Sequence, residues 1–143
     1  MSKYDVLKLD NQLCFPLYAV SKEIVRKYTP LLDELNLTYT QYITMMVLWE
    51  VEEISVKELG NRLYLDSGTL TPLLKNLEKK GYVTRNRSEK DERVLVVKAS
   101  PIGMKLRDKA VEVPKAISGC VDLTEEEAIF LYRIVHKMLD QLD

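Results

Sequence analysis

Apolar residues at positions 13, 17, 20, 24 and 28 follow the 3.6-residue spacing of a helix with one buried face. They predict a first helix over about residues 10–28. Pro30 and the segment LLDELN then predict a break or a short turn. Thr38 followed by Gln41 has the spacing of a capping box and opens YTQYITMMVLWE as a second long helix. Ser55 with Glu58 repeats the device before VKELGNRLY. In LDSGTLTPLLKNLEKKGYV, Leu70, Leu74 and Leu77 form one stripe and Gly81 supplies a C-terminal stop. Pro72 fits a helix that begins near Ser67 to Thr69, where early amides have no partner. VTRNR and RVLVVKA flank the polar SEKDE and predict a two-stranded hairpin. Ser100-Pro101 is an N-cap with proline at the first helical position, and that helix should bend or break at Pro114. Thr124 with Glu127 opens the last helix, in which His136 lies one position off the stripe of Leu131, Val135 and Leu139 and reads as a packing residue. Trp49 reads as core.

This order predicts a mainly α fold with a small β-hairpin, a single domain spanning 1–143. Helix, short turn, helix and hairpin over residues 55–99 are the elements of a winged helix-turn-helix. The helices at 8–36 and 101–143 carry wider apolar stripes than that small module can cover. They are therefore expected to be dimerisation helices, forming a homodimer with two reading heads for a palindromic operator.

Charge sharpens this picture. The net charge of −1 argues against indiscriminate binding to polyanions. Between Lys57 and Lys98, however, ten Lys/Arg face six Asp/Glu, which leaves eleven basic and sixteen acidic residues elsewhere. The basic segment coincides with the winged motif, so double-stranded DNA is the expected partner. Opposite the leucine stripe stand Ser67, Gly68, Thr69, Thr71, Pro72, Lys75 and Lys79. The small and hydroxyl groups there permit close approach, and the lysines can meet phosphates. The wing supplies Arg85, Arg87, Lys90, Asp91 and Arg93, and an arginine at a hairpin tip suits a narrow minor groove.

Two cysteines, Cys14 and Cys120, with a single histidine lack metal-ligand spacing, and neither a metal nor a cofactor is expected. No apolar run approaches a membrane span, and MSKYDVLKLD lacks the pattern of a signal peptide. A cytoplasmic location and no membrane partner are expected, and there a structural disulfide is unusual. If Asp10 or Asn11 caps the first helix, Cys14 falls in its first turn, where free amides and the positive helix end favour a thiolate. Pro16 removes the amide that would bond the Gln12 carbonyl and should loosen or end that turn.

The segment LYLDSGTLTPLLKNLEKKGYVTRNRSEKDERVLVV resembles the recognition helix and wing of the MarR family, with Asp91 and Arg93 forming its DxR turn. LDNQLCFPLY followed by KYTPLLDELNLTYTQY resembles the organic-hydroperoxide-sensing, OhrR-type branch of that family. The resemblance implies that Cys14 is a peroxide-reactive thiol, with Tyr28 and Tyr39 of a partner subunit hydrogen-bonded to it and Tyr18 beside them. It implies that Arg93 enters the minor groove and that Cys120 stands where two-cysteine members keep a resolving cysteine. The expected function is a transcriptional regulator, a repressor, not an enzyme. An organic hydroperoxide would oxidise Cys14, a disulfide with Cys120 would follow, and DNA would be released. Two other readings stay open at this point. One is a thiol peroxidase using Cys14, and the other is a MarR-type repressor gated by a small phenolic ligand.

Overall fold

A computed structural model describes residues 2–142; the two end residues of the expected 1–143 domain lie outside the described residues. Among the described residues, seven helices and three strands follow two short 3-10 turns, Lys3–Leu7 and Leu9–Asn11. The helices are α1 (Cys14–Asp33), α2 (Tyr39–Glu50), α3 (Val56–Leu63), α4 (Ser67–Lys79), α5 (Pro101–Ala110), α6 (Glu112–Ile117) and α7 (Glu125–Leu142). The strands are β1 (Ile54–Ser55), β2 (Val83–Arg87) and β3 (Leu95–Ala99), in antiparallel order β1-β3-β2.

Helix α2 is the centre of the packing. Tyr42, Met45 and Leu48 are buried along it, against Leu32, Leu59, Leu70, Leu74 and Leu77 from three other helices and Val83 and Val97 from the sheet. Its start is fixed locally. The Thr38 hydroxyl accepts from the Gln41 amide at 3.3 Å, and the Gln41 side chain accepts from the Thr38 amide at 3.1 Å, a reciprocal box. Thr124 and Glu127 do the same for α7 at 3.1 and 3.0 Å. Ser100 caps α5 through the Gly103 amide, 3.0 Å, with Pro101 at the first helical position. Gly81, at φ +83°, ends the α4 segment and turns the chain into β2.

Several expectations need correction. The first α-helix starts at Cys14, not near Asp10, because residues 3–11 close into 3-10 turns. Asn11 Nδ2 donates to the Asp5 carbonyl at 2.8 Å, and Gln12 Nε2 donates to the Val6 and Lys8 carbonyls at 2.8 and 2.7 Å. Leu13 then occupies the N-cap with no side-chain cap bond, so neither Asp10 nor Asn11 caps this helix. Pro16 consequently falls at the third helical position, among amides that have no helical partner anyway, and it neither loosens nor ends the turn. Pro30 does not break the helix either, since α1 runs on to Asp33 with Leu32 buried. It ends in a left-handed Asn36 at φ 56°, with the Leu37 amide donating back to the Leu32 carbonyl at 3.1 Å. Pro72 is the sixth residue of α4, beyond the free-amide turn. The helix holds because Leu70, Leu73, Leu74 and Leu77 are buried around it. The sheet has a third strand, β1, whose Ile54 pairs with Val97.

Pro114 acts as expected. Its missing amide would have bonded Ala110, and α5 ends at Ala110 before α6 begins. Trp49 packs against the core and donates to the Gly103 carbonyl at 2.9 Å. Helix α7 contributes no residue to the core. Phe130 is 62 % and Tyr132 66 % exposed, and His136 stacks on Tyr132 at 3.8 Å.

Candidate nucleic-acid interface and thiol site

Helix α4 buries its leucines and turns Ser67, Gly68, Thr69, Thr71, Pro72, Lys75 and Lys79 outward, all exposed. Asp66 caps it, its Oδ1 accepting from the Thr69 amide at 2.8 Å. The turn from α3 is tight. Tyr64 adopts a left-handed conformation at φ 57°, and the Leu65 amide donates to the Gly60 carbonyl at 2.9 Å. This exposed face is continuous and carries the two lysines at its C-terminal half.

The wing is organised at its tip by an acid and a base two residues apart. Asp91 accepts from the Arg93 amide at 3.0 Å, from Arg93 Nε at 3.1 Å and from the guanidinium NH2 group at 3.2 Å. Arg93 holds the Asp91 carboxyl below its ordinary range. The arginine itself remains 91 % exposed, so the pair stands in solvent at the tip of the wing. Arg87 and Lys90 are exposed beside it.

Arg85 is placed differently from the other wing cations. On β2 it shares a strand face with buried Val83, and its side chain is only 18 % exposed. Its NH2 group pairs with Glu78 Oε1 of α4 at 3.1 Å, and the hydrogen-bonded guanidinium holds Glu78 below the usual carboxylate range. Nε is buried with no partner among the described residues. Arg85 therefore fastens the wing to α4 through Glu78. Strand parity from Val83 is the signal that would have shown it.

The thiol residues fall into two groups. Cys14 is the first residue of α1, exposed, with exposed Leu13, Phe15 and Leu17 around it. Tyr18 lies one helical turn on, its ring 5.7 Å from Lys22 Nζ. At the other end of α1, Tyr28 meets Tyr39 edge-on at 5.0 Å between centroids, and Tyr42 completes the cluster at 5.8 and 6.3 Å. Tyr42 was not singled out from sequence, although it shares a helix face with Tyr39 at i, i+3. Burial pushes the Tyr28 phenol up, and the neighbouring Tyr39 and Cys120 push it further. Tyr42 is raised for the same first reason, then by the other two tyrosines. Both phenols thus stay protonated donors across the neutral range.

Cys120 sits at this second end. With Val121 it borders an apolar cleft against Ala19, Val20, Glu23, Ile24 and Lys27 of α1. The stretch from Ala19 to Lys27 begins five residues beyond Cys14, which at 1.5 Å per residue is about 8–20 Å along the axis. A disulfide needs Cα atoms within about 7 Å, so one chain does not bring its two thiols together. Nor does it bring Cys14 to its own Tyr28, about 21 Å away along the helix. Among the described residues no cluster of His, Cys, Asp or Glu is placed to hold a metal, and no helix is long and apolar enough to cross a membrane.

The match to known proteins extends over the whole chain. A family model for the SarA/Rot transcriptional regulators matches residues 26–110. The organic hydroperoxide resistance transcriptional regulator of Bacillus subtilis is 47 % identical over 141 residues, covering 99 % of this chain and 96 % of that protein. The chain belongs to the MarR-type transcriptional regulators. Reduced AbfR bound to DNA superimposes on this regulator with a TM-score of 0.79 at 33 % identity, covering 99 % and 98 % of the two chains. The disulfide form of AbfR gives 0.67 at the same identity, covering 98 % and 96 %. The regulator's α3–α4 pair and its β2–β3 hairpin are thus the helix-turn-helix and the wing of that fold.

Proposed function

We propose that the protein is a homodimeric repressor that reads a palindromic operator while reduced and releases it when an organic hydroperoxide oxidises Cys14. The observation that carries the reading is the separation along α1. Cys14 and its apolar neighbours occupy one end, and Cys120 with the Tyr28–Tyr39 pair occupies the other. A second copy with its α1 antiparallel would lay each Cys14 against the opposite chain's tyrosine corner. The exposed apolar face of α7 and the exposed 3-10 turns give such a copy the surface to bury.

The chemistry balances without a cofactor. The Cys14 thiolate attacks the terminal peroxide oxygen, the O–O bond breaks, and with one proton the products are Cys14 sulfenic acid and an alcohol. The hydroxyls of Tyr28 and Tyr39 can donate to the thiolate and to the leaving oxygen. The thiol of Cys120 in the second copy then displaces water from the sulfenic acid and forms the disulfide. Apolar neighbours Leu13, Phe15 and Leu17 favour an organic over an inorganic peroxide. The greater similarity to DNA-bound AbfR than to its disulfide form supports a DNA-competent conformation.

Mixed dimers of isotopically light and heavy chains, oxidised with cumene hydroperoxide and digested without reductant, test the pairing. Cys14–Cys120 peptides joining one light and one heavy strand are expected. Linked peptides only within one label, or a Cys14 adduct with no Cys120 link, would sink the two-cysteine mechanism.

A further inference from the structure

The first turn of α2 faces two ways. Tyr39 and Tyr42 join Tyr28 at the aromatic corner, whereas Gln41 points to the other side and is only 4 % exposed. Besides capping its own helix, Gln41 grips the recognition helix. Its Nε2 donates to Asn76 Oδ1 at 2.8 Å, and its Oε1 accepts from Lys80 Nζ at 2.9 Å. The same ammonium donates to the Asn36 carbonyl at 2.7 Å, and the Tyr82 hydroxyl donates to the Leu35 carbonyl at 3.1 Å. Asn76 lies in the last turn of α4, and Lys80 is its C-cap. Three directional bonds therefore join the α1–α2 corner to the end of α4, and a fourth reaches Tyr82 just beyond its cap.

Apolar packing does not require them. Leu70, Leu74 and Leu77 already bury α4, and such contacts are non-directional, tolerating a small rotation or slide. A buried amide with both its oxygen and its nitrogen engaged fixes one register, since any other leaves polar groups unpaired. Lys80 is partly buried and its ammonium is pushed below its ordinary range by that burial, so its place in the corner costs solvation that the two carbonyl-type acceptors offset.

We propose that Gln41 and Lys80 are positioning residues that couple the tyrosine corner to the recognition helix, so that displacement of the first turn of α2 on oxidation is passed to α4. This rests on the redox reading above. Without these bonds the thiols still react, but α4 no longer follows the corner.

The test uses full-length Lys80→Met and Gln41→Leu beside wild type. It follows Cys14–Cys120 cross-linking by mass spectrometry and operator affinity before and after cumene hydroperoxide. The coupling predicts wild-type cross-linking rates, reduced-state affinity within about threefold of wild type, and a loss of affinity on oxidation about tenfold smaller than wild type shows. Gln41→Glu keeps the acceptor toward Lys80 and Thr38 and should recover part of that response, which a merely structural role would not predict. Lys80→Met, at a partly exposed helix cap, reports even if Gln41→Leu fails to fold. If both variants release DNA as fully as wild type does, the coupling is overturned alone. If cross-linked wild type keeps its DNA, the redox reading falls and takes the coupling with it.

Discussion

Gly103→Ala is expected to be among the most damaging single-methyl additions in the chain. A Cβ at this position would stand 2.1 Å from the Tyr82 carbonyl oxygen, 3.0 Å from its carbon and 3.2 Å from Met45 Cε. Oxygen and carbon in van der Waals contact need about 1 Å more than the shortest of these. Neither backbone is free to yield. The Ser100 amide donates to that same Tyr82 oxygen at 2.9 Å, the Gly103 amide donates to Ser100 Oγ at 3.0 Å, and Trp49 donates to the Gly103 carbonyl at 2.9 Å. Overpacking at about 1–3 kcal/mol, plus about 1 kcal/mol for one broken hydrogen bond, gives a loss of about 2–4 kcal/mol. At about 3 °C per kcal/mol for a chain of this size, Tm should fall by about 6–12 °C. Gly81→Ala is the comparison, because its Cβ meets nothing within 4 Å and its cost is the left-handed φ of +83° alone. That strain is worth about 1–2 kcal/mol. Calorimetry at one fixed protein concentration should rank Gly103→Ala as the less stable of the two. A melting point for Gly103→Ala within about 2 °C of wild type would refute the argument, because the contact of α5 with Tyr82 would then be softer than its bonding implies.

Other perturbations bear on the site itself. Thr38→Ala removes half of the capping box at α2 and should cost about 1 kcal/mol in chemical denaturation; an unchanged midpoint would contradict the local account of that helix start. Arg93→Ala should weaken binding to any operator and lower the slope of log affinity against log salt by about one, whereas retention of the full slope would remove Arg93 from the phosphate and groove contacts. The Arg85–Glu78 pair lowers the carboxyl below its ordinary value of 4.5, so its contribution is complete above that pH and is lost as pH falls through the lower folded value. Amide exchange in β2 should therefore be steady from neutral pH down to about 4.5 once corrected for intrinsic rates, and should rise below it. A rise centred near neutrality would rule out Glu78 as its cause.

Much of the fold was legible because it is written locally. Thr38–Gln41, Thr124–Glu127 and Ser100-Pro101 each set a helix start through bonds that span three residues. The leucine stripe of α4 and the hairpin alternation likewise follow from short-range periodicity. What escaped depends on partners distant in sequence. Strand β1 is two residues long and exists only because Ile54 finds Val97. Gln41 reads as a cap, and its second role needs Asn76 and Lys80, thirty-five and thirty-nine positions away. The N-terminal error has a similar cause, since Asn11 and Gln12 turn their amides back onto carbonyls six residues earlier and delay the α-helix to Cys14. For the thiol residues, the placing of Tyr28 and Tyr39 in a partner subunit came from the resemblance alone, and the unbroken α1 from Cys14 to Asp33 now supplies a physical reason for it by holding Cys14 and Tyr28 of one chain apart.

The most direct test of the account is operator binding under oxidation. An operator selected from random double-stranded DNA, titrated by fluorescence anisotropy, should be bound by reduced wild type and released after one equivalent of cumene hydroperoxide per Cys14. Cys14→Ser should bind the same DNA equally well with and without the oxidant. If Cys14→Ser released the operator as wild type does, Cys14 would not be the sensing thiol.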